Sequence, residues 1–404
     1  MLDDPHTTSQ LEPQLRGSNQ SGMRAWNERL VLSILRRQGP MSKADIARVT
    51  GLSTQTAWVI IRALEKDGLL EKGKPQRGRV GQPSVPMSLA PDGALFLGLK
   101  IGRRSSELVL MDFVGTIRAR RTLIYRWPTP GSVLEFAHGA IDAVVAEVAP
   151  DLRSRIAGLG VAMPFQLWQW SARIGAPAAD LAGWETLDIR AELARAYPFP
   201  VFLQNDASSA CGAELIFGDE VPAGDFLYFY VGYFIGGGIV LDGQLYTGRS
   251  GNAGAVGSMP VRGEDGRTVQ LIERASISGL EELLEAAGRP AESLWETPAA
   301  WDVDAAILDR WIETAGQGIA DAALAAVALV DFDAVIIDGS MPADVRRRLV
   351  EIAEARMRGH NLSGIAEPDF GEGSLGPEAR TLGAAAIPLS ERFLVDRSGL
   401  SMPV

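Results

Sequence analysis

The chain has 404 residues, 46% of them hydrophobic, with a formal net charge of −11. This length predicts two or three globular units. No apolar run approaches the roughly 20 residues that cross a bilayer, and the first residues lack the basic and apolar regions of a secretory signal. The single cysteine, Cys211, excludes an internal disulfide and fits a reducing compartment. We therefore predict a soluble cytoplasmic protein without a membrane partner.

Residues 1–22 are polar and lack periodicity, which predicts a disordered leader, either ordering on DNA or having no role. Apolar residues then recur at helical spacing over 27–37, including Leu30 and Ile34, until a Gly-Pro pair ends the run. This pattern predicts the first helix of a winged helix-turn-helix domain that spans residues 23–90.

Two shorter helices are predicted to follow. Ser42 would cap the second, over 43–49, and a third would begin after a capping serine and bury one apolar face. Its first turn is polar and short-chained, so its side chains can hydrogen-bond base edges in a major groove. The residues of this helix predicted to contact DNA are Ser53, Thr54, Gln55, Thr56 and Arg62.

A basic hairpin, the predicted wing, completes the domain. Strands are predicted at 69–73 and 84–89, and the loop between them alternates arginine with glycine. Guanidinium groups on such a loop can reach phosphates or a narrow minor groove. The loop residues predicted to contact DNA are Arg77, Arg79 and Gln82.

Charge separates this domain from the remainder of the chain. Residues 24–83 carry 12 Lys/Arg against 5 Asp/Glu, a net charge of +7, whereas the remainder carries −18. A basic module on an acidic body is typical of a protein that binds nucleic acid through one part only. The alternative is a small helical domain with a solvated basic loop.

From Ala94 onward strands alternate with helices, which predicts an α/β body of two lobes with a cleft between them. The first lobe is predicted to comprise 91–222 and 381–404, and the second 223–380. First-lobe strands are predicted at 95–102, 106–113, 117–123, 156–163 and 201–204, with helices at 133–149, 206–217 and 381–393. Second-lobe strands are predicted at 226–233, 235–241 and 334–338, with helices at 269–275, 279–287, 300–330 in two pieces and 343–357.

Several motifs resemble one known family in their order and spacing. They are Arg77-Gly-Arg-Val-Gly-Gln-Pro-Ser-Val-Pro, Phe96-Leu-Gly-Leu-Lys-Ile-Gly, Gly158-Leu-Gly-Val-Ala-Met-Pro, Leu181-Ala-Gly-Trp-Glu, Asn205-Asp206-Ala, Ile235-Gly-Gly-Gly-Ile-Val-Leu-Asp-Gly-Gln-Leu-Tyr and Gly251-Asn-Ala-Gly-Ala-Val-Gly-Ser-Met-Pro. Together they resemble the ROK family, which contains sugar kinases and winged-helix sugar-responsive repressors. The resemblance covers the chain from about Asn27 and implies an actin-like, hexokinase-like two-lobed fold.

The first phosphate loop departs from the pattern of the family's kinases. They carry an Asp-x-Gly-Gly-Thr motif, whose carboxylate helps to place Mg²⁺ and whose glycines admit phosphate. The matching positions here are Lys100, Gly102, Arg103 and Arg104. An ammonium replaces the carboxylate and two guanidinium groups replace small residues, which predicts loss of the metal site.

The second phosphate bend departs as well. Its Gly-Thr-Gly-x-Gly-Gly-Gly pattern is Gly232-Tyr-Phe-Ile-Gly-Gly-Gly here, so that Tyr233 and Phe234 occupy an open region of the kinases. Because phosphoryl transfer depends on electrostatic positioning, we predict no catalytic residues and no enzyme activity.

The resemblance implies that part of the sugar site is retained. The sequence matches it at Asn205 and Asp206, the pair that holds a sugar hydroxyl, and at Glu273, while Asp180 replaces an asparagine of the same pocket. A Glu-x-Gly-His motif of the family is Ala255-Val-Gly-Ser here, which removes a carboxylate and an imidazole. The predicted ligand-binding residues are therefore Asp180, Asn205, Asp206 and Glu273. Asp206 capping its helix and Glu273 as a helix-face charge remain alternatives.

No metal or cofactor is predicted. The family's cysteine-rich zinc motif should lie between Ser258 and Glu273, where the sequence has neither Cys nor His, and structural zinc needs about four such ligands close together.

The sequence thus predicts a DNA-binding transcriptional repressor whose kinase-like body binds a sugar or related polyol without phosphorylating it. Helix-turn-helix proteins usually bind paired half-sites, so a homodimer or homotetramer on double-stranded operator DNA is expected. Two alternatives remain, an ATP-dependent sugar kinase with an atypical nucleotide loop and a regulator controlled by a protein partner.

Overall fold

The chain folds as two compact units divided between Ser88 and Leu89. The computed structural model describes residues 20–75, 85–219, 221–222 and 224–395. No helix in this part of the chain is long and apolar enough to cross a membrane.

The N-terminal unit is a winged helix-turn-helix. Its elements are α1 (Gln20–Gln38), β1 (Met41–Ser42), α2 (Lys43–Thr50), α3 (Thr54–Lys66), β2 (Leu70–Lys72) and β3 (Pro86–Leu89). The three strands form one sheet in the order β1-β3-β2. Ile46, Ile61 and Met87 are fully buried, so that α2, α3 and the wing each contribute to the core. Burial of this apolar surface is the main favourable contribution to the folding of such a small unit.

Serine caps and one glycine set the helix-turn-helix geometry. Ser42 Oγ accepts a hydrogen bond from the backbone N–H of Asp45 at 3.1 Å, and Ser53 Oγ accepts one from that of Thr56 at 3.1 Å. Both bonds satisfy otherwise unpaired N–H groups in a first helical turn. Between the two helices Gly51 has φ +68°, a conformation that favours glycine.

The start of the first helix differs from the sequence prediction. Helix α1 begins at Gln20, so residues 20–22, assigned to a disordered leader, are helical. The early turns carry no apolar stripe, and periodicity therefore did not reveal them. The predicted wing strands are observed as β2 and β3. The wing loop over 76–84, including the predicted contacts Arg77, Arg79 and Gln82, lies outside the described residues.

The first lobe of the C-terminal unit is built on a mixed five-stranded sheet in the order β6-β5-β4-β7-β8. Strands β4, β5 and β6 are antiparallel, and β7 and β8 extend the sheet in parallel. The elements are β4 (Leu95–Ile101), β5 (Ser105–Asp112), β6 (Ile117–Ile124), α4 (Pro130–Glu147), β7 (Ile156–Met163), α5 (Ala178–Ala182), α6 (Ile189–Ala196), β8 (Val201–Asn205) and α7 (Asp206–Phe217).

The second lobe repeats this arrangement with a sheet in the order β11-β10-β9-β14-β15. Its elements are β9 (Phe226–Val231), β10 (Gly236–Leu241), β11 (Gln244–Tyr246), β12 (Pro260–Arg262), β13 (Thr268–Gln270), α8 (Ile272–Ala275), α9 (Ile277–Ala286), α10 (Ser293–Glu296), α11 (Ala305–Val327), β14 (Ala334–Gly339), α12 (Ala343–Arg358) and β15 (Asp369–Glu372). The last helix, α13 (Ala379–Phe393), follows the second lobe in the chain. Antiparallel strands again precede parallel ones, as in the first lobe.

Three second-lobe predictions were wrong in detail. The helix predicted over 269–275 is a strand, β13, followed by the one-turn α8. The predicted pair of helices over 300–330 is the single helix α11. Strand β15 was missed because its four residues, Asp369–Glu372, show no apolar alternation and are defined by pairing with β14.

Helix α13 returns to the first lobe and lies directly on its sheet. A Cβ atom built on Gly160 of β7 would lie 1.9 Å from the carbonyl oxygen of Ala384, and one on Gly98 of β4 would lie 2.4 Å from the backbone N of Ala385. Such contacts are possible only where the strand has no side chain. The two glycines therefore fix the distance between α13 and the sheet.

We expect Gly160→Ala to destabilise the C-terminal unit by about 1–3 kcal/mol or more, because the methyl group forces α13 away from β7. Gly139→Ala is the matched control, since nothing lies within 4 Å of a Cβ built there on α4. That change should be neutral or stabilising by up to about 1 kcal/mol. Thermal unfolding of both variants is the measurement, and equal midpoints would contradict the role of Gly160.

Candidate DNA-contacting helix and interlobe cleft

The first turn of α3 presents the residues predicted to contact DNA. Thr54, Gln55 and Arg62 are exposed. Ser53 and Thr56 are also exposed, but their hydroxyls lie 2.8 Å apart and are engaged in the helix cap. Caps of this kind fix the orientation of the first turn, which is the part of such a helix that contacts bases.

The structure adds surface that sequence reasoning missed. Trp58 and Val59 are 53% and 57% exposed on α3, and Lys43 Nζ lies 4.3 Å from the centroid of the Trp58 ring. A groove of about 490 Å³ runs between α1 and α3. Its lining residues are Met23, Arg24, Asn27, Gln55, Thr56, Val59 and Ile60. No sequence signal places α1 beside Gln55, because that proximity arises only from packing of the helices.

In the C-terminal unit, the turn between β4 and β5 of the first lobe extends its side chains to residues of the second lobe. We call residues 102–105 the arginine turn. Arg104 donates a hydrogen bond to Glu281 Oε1 of α9 at 3.0 Å, and Arg103 lies 4.1 Å from the centroid of the Phe234 ring. The two residues that replace the small positions of the kinase loop therefore connect the lobes.

Lys100, at the position of the kinase carboxylate, is buried in an ion pair. Its ammonium donates to Glu107 Oε1 and to Ser105 Oγ, both at 3.0 Å. Burial lowers the pKa of Lys100, and the charge of Glu107 opposes that effect. Burial raises the pKa of Glu107, but the charge of Lys100 and its hydrogen bond outweigh this, so that the pKa of Glu107 is lowered. The geometry is that of a buried ion pair, and a lysine side chain offers no oxygen ligand for Mg²⁺.

Aromatic rings occupy the region beside the arginine turn. Trp170 and Phe234 lie 5.0 Å apart between centroids, and Tyr233 contacts both Phe234 at 4.9 Å and Trp295 at 5.3 Å. Trp295 Nε1 donates to Glu281, the carboxylate that also holds the arginine turn, at 2.8 Å. Residues from both lobes thus form one cluster where the family's kinases leave space for nucleotide.

The glycines of the second bend have a packing role in this chain. A Cβ on Gly236 would lie 2.7 Å from Cβ of Ala207, and one on Gly238 would lie 2.5 Å from Cβ of Cys211. Both contacts are with α7. The glycines therefore allow β10 to approach α7 closely, whether or not any phosphate binds there.

The predicted sugar-binding residues lie at the ends of different elements. Asn205 caps α7, since its Oδ1 accepts from the backbone N–H groups of Ala207 and Ser208 at 3.0 and 3.3 Å. Asp206, the alternative cap, instead accepts from Arg380 at 3.3 Å and is buried. Glu273 is exposed, and its carboxylate lies 3.5 Å from Arg173.

Asp180 is held by a tryptophan. Its Oδ2 accepts from Trp127 Nε1 at 2.8 Å, a bond that no local sequence pattern predicts. Arg103 lies close enough to Asp206, Arg173 and Arg380 for their charges to affect the pKa of Arg103. Arg103 therefore lies near both Asp206 and the Arg173–Glu273 pair. No contact among the described residues joins Asp180 to this group.

Groups of three or more His, Cys, Asp or Glu side chains that could hold an ion are absent among the described residues. Cys211 is buried on α7, and burial raises the pKa of its thiol well above the ordinary value, which disfavours the thiolate form that binds metals.

A winged helix-turn-helix followed by a duplicated α/β body defines the class: a DNA-binding module joined to a sugar-kinase-like fold. The model described as the ROK family matches residues 96–391, and the model described as winged helix-turn-helix DNA-binding matches residues 27–71. The chain belongs to the ROK family.

Its similarity to individual proteins is low but extensive. The chain is 25% identical over 368 residues to the uncharacterized protein y4fQ of Sinorhizobium fredii strain NBRC 101917 / NGR234, with 91% of each chain covered. It is 24% identical over 311 residues to the xylose repressor of Caldicellulosiruptor bescii, covering 74% of this chain and 76% of that one.

One solved structure aligns along most of the chain. It is a ROK family transcriptional regulator, described as a homolog of the E. coli MLC protein. The TM-score is 0.68 at 21% identity, with 92% of this chain and 97% of that chain covered. At this identity the likeness shows the fold alone.

The buried Lys100–Glu107 pair generates a stability prediction. Glu107→Gln should destabilise the C-terminal unit by about 3 kcal/mol or more, because it leaves the buried ammonium unpaired. The matched control is Glu192→Gln, which breaks the exposed pair of Glu192 with Arg195 and should cost less than about 1 kcal/mol. Urea unfolding measures both, and a negligible effect of Glu107→Gln would contradict a charged buried pair.

Proposed function

We propose that this protein is a transcriptional repressor that binds operator DNA through its N-terminal unit and a sugar in the cleft of its C-terminal unit. The observation that carries the proposal is the combination of an exposed polar α3 N-terminus with a kinase-like cleft occupied by the arginine turn. Similarity to a xylose repressor supports a sugar as the class of effector. Action on DNA implies a location where DNA is present, which in a bacterium is the cytoplasm.

Phosphoryl transfer is the competing activity, since the family contains kinases. Three features argue against it. Lys100 replaces a metal-binding carboxylate, and it is buried and paired with Glu107. Arg103 and Arg104 occupy the phosphate loop and contact the aromatic cluster. Finally Asp206, at the position of the family's general base, accepts a hydrogen bond from Arg380 at 3.3 Å, so that a carboxylate oxygen is already engaged.

The proposed mechanism is a population shift between arrangements of the two lobes. A sugar that contacts Asp206 of the first lobe and Glu273 of the second binds better to the arrangement that brings them together. If that arrangement disfavours operator binding, the ligand releases the repressor. A coupling of about 1–3 kcal/mol would change operator affinity from several-fold to more than a hundred-fold. In a homodimer or homotetramer, both half-sites would respond together.

One prediction of the proposed function concerns the recognition of DNA sequence. Gln55→Ala should lower affinity for an operator selected from random DNA by about 1–3 kcal/mol while leaving affinity for unrelated DNA unchanged, because only base contacts distinguish the two. Gln38→Ala, an exposed change at the end of α1, is the matched control. Fluorescence anisotropy with both DNAs is the measurement, and equal losses on both would exclude Gln55 from base contacts.

Changes in the wing should behave differently from Gln55→Ala. Arg77→Ala or Arg79→Ala should weaken binding to both DNAs and reduce the slope of log affinity against log salt by about 1, as expected for the loss of one phosphate contact. A loss restricted to the operator would instead assign these arginines to base contacts.

Another prediction of the proposed function concerns the ligand. Operator binding by the full chain, measured against a broad panel of sugars, should change several-fold or more with at least one of them. Asp206→Asn should abolish that response without changing operator affinity in the absence of sugar. Identical operator affinity across the whole panel would defeat sugar sensing and favour control by a protein partner.

The same protein sample should show no turnover with ATP, Mg²⁺ and each hexose in a coupled assay. Steady turnover above background that disappears in Asp206→Asn would establish the kinase alternative, because that carboxylate is the only general base that the family's chemistry assigns here.

A further inference from the structure

Arg103 carries a buried charge for which the described residues provide no counter-ion in direct contact. The residue is 9% exposed, and its Nε has no hydrogen-bond acceptor. Burial lowers the pKa of Arg103 to about 10, and the charge of Asp206 opposes this effect from a distance. A guanidinium with a pKa near 10 remains charged at neutral pH, so a positive charge lies in a desolvated position.

The neighbouring charges of the cleft are paired, which makes Arg103 the exception. The pairs and their N–O distances are Lys100–Glu107 at 3.0 Å, Arg104–Glu281 at 3.0 Å, Arg173–Glu273 at 3.5 Å and Arg380–Asp206 at 3.3 Å. Four carboxylates face four cations in these pairs, and Arg103 adds a fifth cation. Within this described group the cleft therefore carries one uncompensated positive charge.

Aromatic contacts offset only part of the cost of that burial. The Arg103 guanidinium lies 4.7 Å from the Trp170 ring centroid and 4.1 Å from that of Phe234, and the rings are themselves 5.0 Å apart. The three groups thus form a triangle that orients the guanidinium. Rings attract a cation but accept no strong hydrogen bond. The planar fork of N–H donors matches a carboxylate or phosphate in a bidentate geometry.

We propose that the cleft binds an anionic carbohydrate, with a carboxylate or phosphate group received by Arg103 and hydroxyl groups received by Asn205 and Asp206. This inference deepens the proposed function, on which the carbohydrate part rests. The anion supplies the missing counter-charge in a site from which water is largely excluded, where such a pair is strong. Neutral sugars lack that group and leave Arg103 uncompensated.

Such a ligand would also act on both lobes. Arg103 belongs to the arginine turn of the first lobe, and its Phe234 neighbour belongs to the second. An anion bonded to Arg103 competes for the guanidinium that now lies against Phe234. Binding is therefore coupled to the contacts that hold the turn across the cleft.

The test is isothermal titration calorimetry of the full-length chain with a panel of aldoses, each paired with its uronic acid and its terminal phosphate, and with inorganic phosphate alone. We expect at least one anionic member to bind at least tenfold more tightly than its neutral parent. Comparison of the acid and phosphate arms identifies which anion is preferred. The inference is overturned if every neutral parent binds as well as its anionic forms, or if no member binds.

Three variants make the test specific. Arg103→Met should reduce the affinity for the anionic ligand to that of the neutral parent, and Arg103→Lys should restore part of it. Arg392→Met is the matched control, since Arg392 also lies near an aromatic ring, Phe393, at 5.8 Å, but contacts the start of β7. Equal losses in Arg103→Met and Arg392→Met would assign the effect to stability alone and sink the proposal.

Operator binding measured in parallel separates this inference from the proposed function. If a neutral sugar releases DNA as well as its anionic forms do, the proposed repressor function is supported and the proposed role of Arg103 is wrong. Tight anion binding without any change in operator affinity supports the site and removes the sensing function. If inorganic phosphate binds as tightly as the sugar phosphates, the site recognises a free anion and the carbohydrate part is wrong.

Discussion

The buried pair of Lys100 and Glu107 is the constraint on which the geometry of the cleft depends. The two residues face each other across β4 and β5, so the pair lies at the base of the arginine turn. An ammonium in this position must keep its partner, because a desolvated charge without one is costly. Glu107 also accepts from Arg120 at 3.0 Å. The root of the turn is thereby fixed, and its tip is directed to the second lobe.

The arginine turn carries the departures from the first phosphate loop of the family's kinases. Where a kinase loop would surround phosphate with backbone N–H groups, Arg104 contacts Glu281 and Arg103 contacts Phe234. The side chains of the turn thereby connect the two lobes. The proposed switch requires a second arrangement of the lobes, and these few charge and ring contacts are the ones that it would change.

The two units divide the work physically. The basic N-terminal unit presents a capped polar helix end, and the acidic C-terminal unit presents a cleft in which Arg103 has no carboxylate partner among the described residues. The first suits a polyanion whose recognition depends on base edges and phosphates, and we propose that the second binds a small ligand through its hydroxyl groups and one charged group. Opposite net charges keep the body from binding DNA nonspecifically.

The sequence by itself determined the fold class, the helix-turn-helix with its buried face on α3, most strands of both sheets, and the loss of the kinase motif at Lys100. These depend on local periodicity, caps and residue identity, which are properties of short segments. Only the tertiary structure decided that α1 starts at Gln20, that Arg380 pairs with Asp206, that Trp127 holds Asp180 and that Arg103 lies buried against Trp170 and Phe234. Each of these depends on residues far apart in the chain, or on packing that periodicity does not encode, and so could not be predicted from local pattern.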